Sequence, residues 1–210
     1  MTRQQLIDNF KNKPLGGYEA QRKMEHFARF SIMQNTPEIP ENHRTAAVMC
    51  LLYPTENDWN VVFIVRPSYD GAHSGQIAFA GGGFEAEDEN YEATALRETH
   101  EEIGVAPELI EIIAPLTPLY IPVSNFMVYP FVGIVEKRPI FAPQESEVVE
   151  ILEIPLAVFH NKNNRKMTTL NLGKGIILEK VPYYDLNGRI LWGATAMMMA
   201  EFMGMMEITL

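Results

Sequence analysis

The sequence predicts a single α/β domain, and three observations carry that expectation. Apolar, strand-like runs at 45–53 and 59–65 lead into a glycine-rich stretch over 71–83. A helical pattern follows at 90–103, and another closes the sequence at 193–206. No repeat or linker separates them, and 210 residues suit one domain with its own core.

Each element has a local reason. Residues 1–40 read as an N-terminal helical arm and 41–210 as the main domain. In the arm, 4–11 makes a short helix ended by Pro14-Leu15-Gly16-Gly17, 19–30 makes a second, and Pro37 and Pro40 break the pattern. The runs at 45–53 and 59–65 are β-rich and separated by turn formers, Pro54-Thr55-Glu56-Asn57-Asp58. A short extended piece lies at 76–80 inside the glycine-rich loop. Helix 90–103 stops at Gly104, a residue suited to the left-handed conformation that ends helices. Further strands are expected at 110–116, 125–136, 147–154, 166–172 and 176–181. The last helix carries Met197, Met198, Met199, Met203, Met205 and Met206. That stripe reads first as core, with an adaptable ligand groove or a homodimer interface as the alternative.

Charge and composition exclude several functions. Lys and Arg number 17 against 27 Asp and Glu, a net charge of −10, and such a body repels nucleic acid. The first ten residues carry Arg3 and Asp8 and lack an apolar centre, so no signal peptide is expected. The longest mostly apolar stretch, 196–206, contains Glu201 and is too short to span a bilayer. One cysteine, Cys50, allows no intrachain disulfide and suits a reducing cytoplasm. It lies among apolar neighbours and reads as a core thiol. The expected partner is a small molecule, and an anionic one would need a cation to bridge the repulsion.

The chemistry concentrates between Gly83 and Val105. Gly83 is followed after five residues by Glu89, and after seven more by Arg97-Glu98-Thr99-His100-Glu101-Glu102-Ile103-Gly104. At 100° per residue, Glu101 and Glu102 flank Glu98, so three carboxylates share one helical face. Ala93, Leu96 and Ile103 lie opposite and can pack on a sheet. Like charges at such spacings destabilise a helix, and a hard divalent ion, Mg²⁺ or Mn²⁺, would compensate them. Arg97 can orient a neighbouring carboxylate such as Glu89, leaving Glu98 and Glu102 for metal.

This spacing resembles the Nudix box, Gly-x5-Glu-x7-Arg-Glu-U-x-Glu-Glu-x-Gly-U, with U a bulky aliphatic residue. All seven defining positions match, and only Thr99 departs, at the first U. A chance match of this length is on the order of one in a million across the chain at average residue usage. The resemblance implies an α/β/α sandwich with a mixed sheet and a Nudix hydrolase domain over 41–210. The implied reaction is metal-dependent attack of water on a pyrophosphate joined to another moiety. It further implies Glu98 and Glu102 as the chief metal ligands, Glu101 contributing directly or through water, a backbone carbonyl near Gly82 or Gly83 completing the site, and Glu98 and Arg97 as catalytic residues.

A second resemblance lies upstream. Arg66, Gly75 and Phe79-Ala80-Gly81-Gly82 fall in register with the motif of Nudix coenzyme A pyrophosphatases. Ile64, Pro67, Gly71 and Ala80 depart from it, and Gly71 replaces an arginine that could contact phosphate. Coenzyme A or an acyl-CoA is therefore the expected substrate, yielding 3′,5′-ADP and 4′-phosphopantetheine or its acyl form. ADP-ribose or another nucleoside diphosphate derivative is the alternative, and a non-catalytic nucleotide-binding module a further one. Arg66, His73, Gly75, Phe79, Gly81 and Gly82 are the expected substrate-binding residues, Arg66 and His73 as candidate cations and the backbone N–H groups of Gly81, Gly82 and Gly83 approaching phosphate. The general base is expected outside the box, at Glu147 in Gln144-Glu145-Ser146-Glu147-Val148-Val149-Glu150.

Overall fold

The sheet is organised around β1 (Arg44–Pro54), which is buried on both faces. In the computed structural model, which describes residues 1–35, 38–68, 74–173 and 175–206, β1 has three strand neighbours. β2 (Trp59–Val65) and β4 (Ala80–Gly83) run antiparallel to it, with Leu52 opposite Val61 and Ala47 opposite Gly82. β7 (Phe126–Ile134) runs parallel, from Arg44 opposite Phe126 to Leu52 opposite Ile134. That parallel pair makes the sheet mixed. β3 (Ile77–Ala78) and β8 (Glu150–Pro155) extend it from β2, while β5 (Glu111–Pro115) and β6 (Leu119–Ile121) extend it from β7.

Side chains along β1 alternate between two apolar layers, as the strand period of two requires. Ala47, Met49, Leu51 and Tyr53 face α4 (Tyr91–Ile103), which contributes Ala95 and Ile103. Ala46, Cys50 and Leu52 face α1 (Arg3–Lys11) and α6 (Gly193–Met206). Helices on both faces of a mixed sheet form the α/β/α sandwich. Leu6, Ile7 and Phe10 of the N-terminal arm are buried in the same layer as α6. All six methionines of α6 are buried there too, so the stripe is core, and neither a groove nor an interface is built from it.

Three features differ from the expected pattern. Helix 19–30 is split into α2 (Gly17–Gln21), a 3₁₀ turn and α3 (Phe27–Asn35). The break falls at Glu25, whose backbone is extended, and at His26, whose ring accepts from the Ala28 N–H and bonds the Glu179 carbonyl. The strand expected at 147–154 starts only at Glu150, because the N–H groups of Glu147 and Val148 turn back onto the Gln144 carbonyl. After α5 (Leu156–His160), β9 (Arg165–Asn171), β10 (Ile177–Leu186) and β11 (Arg189–Trp192) form a separate antiparallel sheet. Its tight hairpin turns at Asn187 and Gly188, both at positive φ, as a two-residue turn demands. No helix among the described residues is long and apolar enough to cross a membrane.

Glu201 ties the arm to this frame. It lies in the middle of α6 at 0% exposure, yet both carboxylate oxygens are satisfied. They accept from the Gly17 N–H (3.0 Å), Gln21 Nε2 (2.9 Å), the Thr117 N–H (3.1 Å) and the Thr117 hydroxyl (2.6 Å). Removing the acceptor would strand several buried donors. Glu201→Ala is expected to lower unfolding free energy in urea by about 3 kcal/mol or more, and Glu201→Gln by less.

Candidate active site

α4 is set in place by its ends. The Asn90 side chain accepts from the Ala93 N–H at 2.9 Å, capping the start. Gly104, at φ 75°, ends the helix with its N–H on the His100 carbonyl. The buried face is wider than the expected one, with Ile103 and the half-buried Leu96 packed on the sheet layer as expected. Thr94, Ala95, Glu98, Thr99, Glu102 and Ile103 point inward, whereas Ala93 and Leu96 are half-buried at the edges. Thr99 tolerates burial because its hydroxyl donates to the Ala95 carbonyl at 2.6 Å.

Two of the three box carboxylates are therefore aimed into the protein. Glu98 is 9% and Glu102 1% exposed, while Glu101 stays at the rim. Burial pushes the Glu98 carboxyl upward and raises Glu102 from its ordinary 4.5 to about 7. The neighbouring negative charge of Glu147 adds to both shifts, and that of Glu98 adds to the second.

Glycines make this burial possible. With the Phe84 N–H on the Thr45 carbonyl, the β1–β4 ladder turns the polar groups of Gly81 and Gly83 away from β1. The Gly81 N–H donates to Glu102 Oε2 at 2.8 Å. A Cβ on Gly82 would meet the Glu98 carboxylate at 2.5 Å, and one on Gly81 would strike the Ala47 carbonyl. The Gly81 N–H thus holds a carboxylate rather than cradling phosphate as expected.

Arg97 organises the outer side. Its Nε and Nη2 form a fork on Asp88, both at 2.9 Å. Nη1 donates to Glu98 Oε1 at 2.9 Å and Glu101 Oε2 at 3.0 Å, and Nη2 also donates to the Gly83 carbonyl at 2.9 Å. Every guanidinium N–H is used. The orienting carboxylate is Asp88 and not Glu89, which is exposed. Asp88 also accepts from the Glu85 N–H and the Thr94 hydroxyl, and its hydrogen bonds to Arg97 hold it far below the usual carboxylate range. No spacing rule marks Asp88, because the loop that delivers it is closed by the Glu85 N–H and the Thr94 hydroxyl.

The remaining expected residues separate into those at the site and those elsewhere. Arg66 donates to the Gly81 carbonyl at 3.0 Å and pairs with Glu102 at 3.6 Å, so it borders the carboxylates. Gly75, at φ 65°, turns the loop that returns to Arg66, its N–H on the Pro67 carbonyl. Phe79 is 1% exposed and stacked on Phe63 with centroids 5.1 Å apart, so it is core and presents no face to a substrate. His73 and Gly71 lie outside the described residues. Glu147 is exposed on a loop that docks against the end of α4, where the Gln144 N–H donates to the Glu102 carbonyl at 3.0 Å. Cys50 is buried, and burial pushes its thiol up, as befits a core group.

The donor set fits a hard divalent ion. Glu98 Oε2 and Glu102 Oε1 are the carboxylate oxygens opposite those already bonded to Arg97 and Gly81, and the Gly83 carbonyl has a second lone pair. No group of three or more His, Cys, Asp or Glu converges among the described residues. Two carboxylates with the balance from backbone, water and substrate phosphate is the pattern Mg²⁺ accepts.

Comparison with known proteins agrees with the geometry. The NUDIX domain profile matches residues 43–170, more than half of the chain. The chain belongs to the Nudix family. It is 39% identical over 116 residues to "Uncharacterized Nudix hydrolase NudL" of Enterobacter sp. (strain 638), covering 55% of this chain and 59% of that protein. It is 31% identical over 157 residues to "Nudix hydrolase 22, chloroplastic" of Arabidopsis thaliana, covering 73% and 52%. The chain thus spans between half and three-fifths of these two relatives' lengths. The fold matches the crystal structure of RenU, a Nudix hydrolase from M. smegmatis, with TM-score 0.53 at 14% identity, over 80% of this chain and 86% of that one.

The two glycines at the site should respond differently to substitution. Gly82→Ala displaces the Glu98 carboxylate and is expected to lower any hydrolytic turnover that depends on this site by about a hundredfold. A Cβ on Gly83 meets nothing within 4 Å, so Gly83→Ala should stay within about threefold of wild type. Steady-state kinetics on the two variants check this.

Proposed function

We propose that the chain is a metal-dependent pyrophosphohydrolase of nucleoside diphosphate derivatives, with coenzyme A or an acyl-CoA as substrate. The observation that carries the reaction is the buried Glu98–Glu102 pair, held against a glycine strand and braced by Arg97 and Asp88. Glu98 and Glu102 would hold Mg²⁺ or Mn²⁺, with Glu101 at the rim and the Gly83 carbonyl beside them. Bound there, the ion polarises phosphoryl oxygens and lowers the pKa of water.

The chain's own residues do the rest. Arg97 is a positioning residue: it fixes Glu98 and Glu101 while its own charge is neutralised by Asp88. Arg66 sits between Glu102 and the Gly81 carbonyl with part of its side chain exposed, within reach of a substrate phosphate. Glu147 takes the proton from the attacking water, a role supported by its charge acting on both buried carboxylates. Water oxygen bonds to one phosphorus, the bridging P–O bond breaks, and the second phosphate leaves. In coenzyme A this gives 3′,5′-ADP and 4′-phosphopantetheine, with the thioester of an acyl-CoA untouched.

The coenzyme A assignment rests on the in-register run Arg66, Gly75 and Phe79 to Gly82. The departures at Ile64, Pro67, Gly71 and Ala80 keep ADP-ribose as the second reading. An intact set of box carboxylates argues against a module that binds without turnover. We place the reaction in the cytoplasm, in keeping with a lone core cysteine.

Incubation with coenzyme A, ADP-ribose and dNTPs, with Mg²⁺ or EDTA, followed by chromatography, tests the proposal. The expected outcome is 3′,5′-ADP from coenzyme A with Mg²⁺ and none in EDTA. Turnover of ADP-ribose without any 3′,5′-ADP from coenzyme A would overturn the substrate assignment alone. Full turnover in a verified metal-free preparation would overturn the mechanism.

A further inference from the structure

Three aromatic rings cluster where α4 begins, outside both apolar layers' fully buried centres. Tyr91 is stacked on Tyr129 with centroids 3.9 Å apart and planes within 13°. Phe84 meets the Tyr91 ring edge-on at 5.4 Å. Tyr91 and Tyr129 are half-buried, and Phe84 is 39% exposed. The chain's other phenylalanines include four, Phe63, Phe79, Phe159 and Phe202, that it buries completely. Phe84 instead meets the Tyr91 ring and stays partly in solvent.

Its position follows from the strand. The Phe84 N–H on the Thr45 carbonyl continues the β1–β4 ladder one step past Gly83. Phe84 therefore emerges on the same face as Gly82, the residue lying under the Glu98 carboxylate. Two strand residues separate them, roughly 7 Å. The helix gives a matching measure: Tyr91 precedes Glu98 by seven residues on nearly the same stripe, about 10 Å along the axis. The neighbouring position across the sheet, Thr45 on β1, is also only half-buried.

We infer that Phe84 is the platform on which the base of the substrate stacks, with Tyr91 and Tyr129 holding the ring in place. A pyrophosphate oxygen near Glu98 and a base on Phe84 are separated by about the reach of a ribose. Stacking uses the π-face that every base has and brings no charge to a chain carrying −10. The ledge thus favours a purine or pyrimidine nucleotide over a pyrophosphate without a base. This inference rests on the pyrophosphohydrolase reading and assigns the nucleoside end of that same site.

Calorimetric titration of the full chain with Mg²⁺ tests it, using α,β-methylene-ADP and methylenebisphosphonate as non-hydrolysable probes with and without a nucleoside. Wild type is expected to bind the nucleotide more tightly. Phe84→Ala should weaken that binding about tenfold or more while leaving the bisphosphonate unchanged, and Phe84→Trp should retain it. Equal weakening of both probes by Phe84→Ala, or no weakening of either, would overturn the platform. Wild type binding both probes equally would overturn it as well and leave the hydrolase reading intact. Wild type binding neither probe would overturn both.

Discussion

Glu98 and Glu102 are driven into the seam between α4 and β4, and much of the local structure exists to make that tolerable. Taking a carboxylate out of water costs several kcal/mol unless it is paired and hydrogen-bonded. Here the compensation is partial by construction. Glu102 receives one backbone N–H and a distant guanidinium, and Glu98 receives one bond from an arginine shared with Asp88 and Glu101. The result is a desolvated pair whose remaining oxygens favour a divalent ion. A −10 chain has no surplus of cations to offer a pyrophosphate, so under the proposed function the same ion would serve substrate and protein.

That arrangement needs a rigid base. β1 supplies it by holding β4 on one side and β7 on the other, with the methionine-rich α6 filling the opposite face. Methionine suits a helix buried all round, since its flexible thioether adapts to irregular neighbours. Glu201 then locks α2 and the turn before β6 to that helix. The carboxylates on α4 are consequently positioned against a strand that cannot easily move.

Much of this was legible in the sequence, for identifiable reasons. β1, β2, α4 and α6 announce themselves by apolar runs or caps, and the box spacing places the acidic face on α4. What escaped depends on tertiary contact. The break at Glu25 and His26 is set by a bond to Glu179, 153 residues away. The partner of Arg97 is Asp88 because Thr94 and the Glu85 amide share it, a loop geometry no spacing rule gives. Helical projection put the three carboxylates together on one face and Ala93, Leu96 and Ile103 on the sheet. In the structure Ile103 and Leu96 do pack on that layer, and Glu98 and Glu102 are buried as well, because Gly82 leaves room for the Glu98 carboxylate and the Gly81 N–H donates to Glu102. The same geometry turned Gly81 from a phosphate donor into a carboxylate donor, and burial removed Phe79 from the substrate site.

Glu102 is buried against its own charge, and under the proposed function bound metal would relieve that penalty. Its raised folded value, about 7 against an ordinary 4.5, means the folded state holds the proton more tightly than the unfolded state. The stability this contributes is fully present below about pH 4.5 and lost as pH rises through about 7. The direct measurement is unfolding free energy against pH for metal-free wild type and Glu102→Gln, repeated with Mg²⁺. The account predicts that wild type loses stability relative to the variant between pH 4.5 and 7, and that Mg²⁺ restores it in wild type alone. Parallel profiles for the two proteins, unaltered by Mg²⁺, would contradict it.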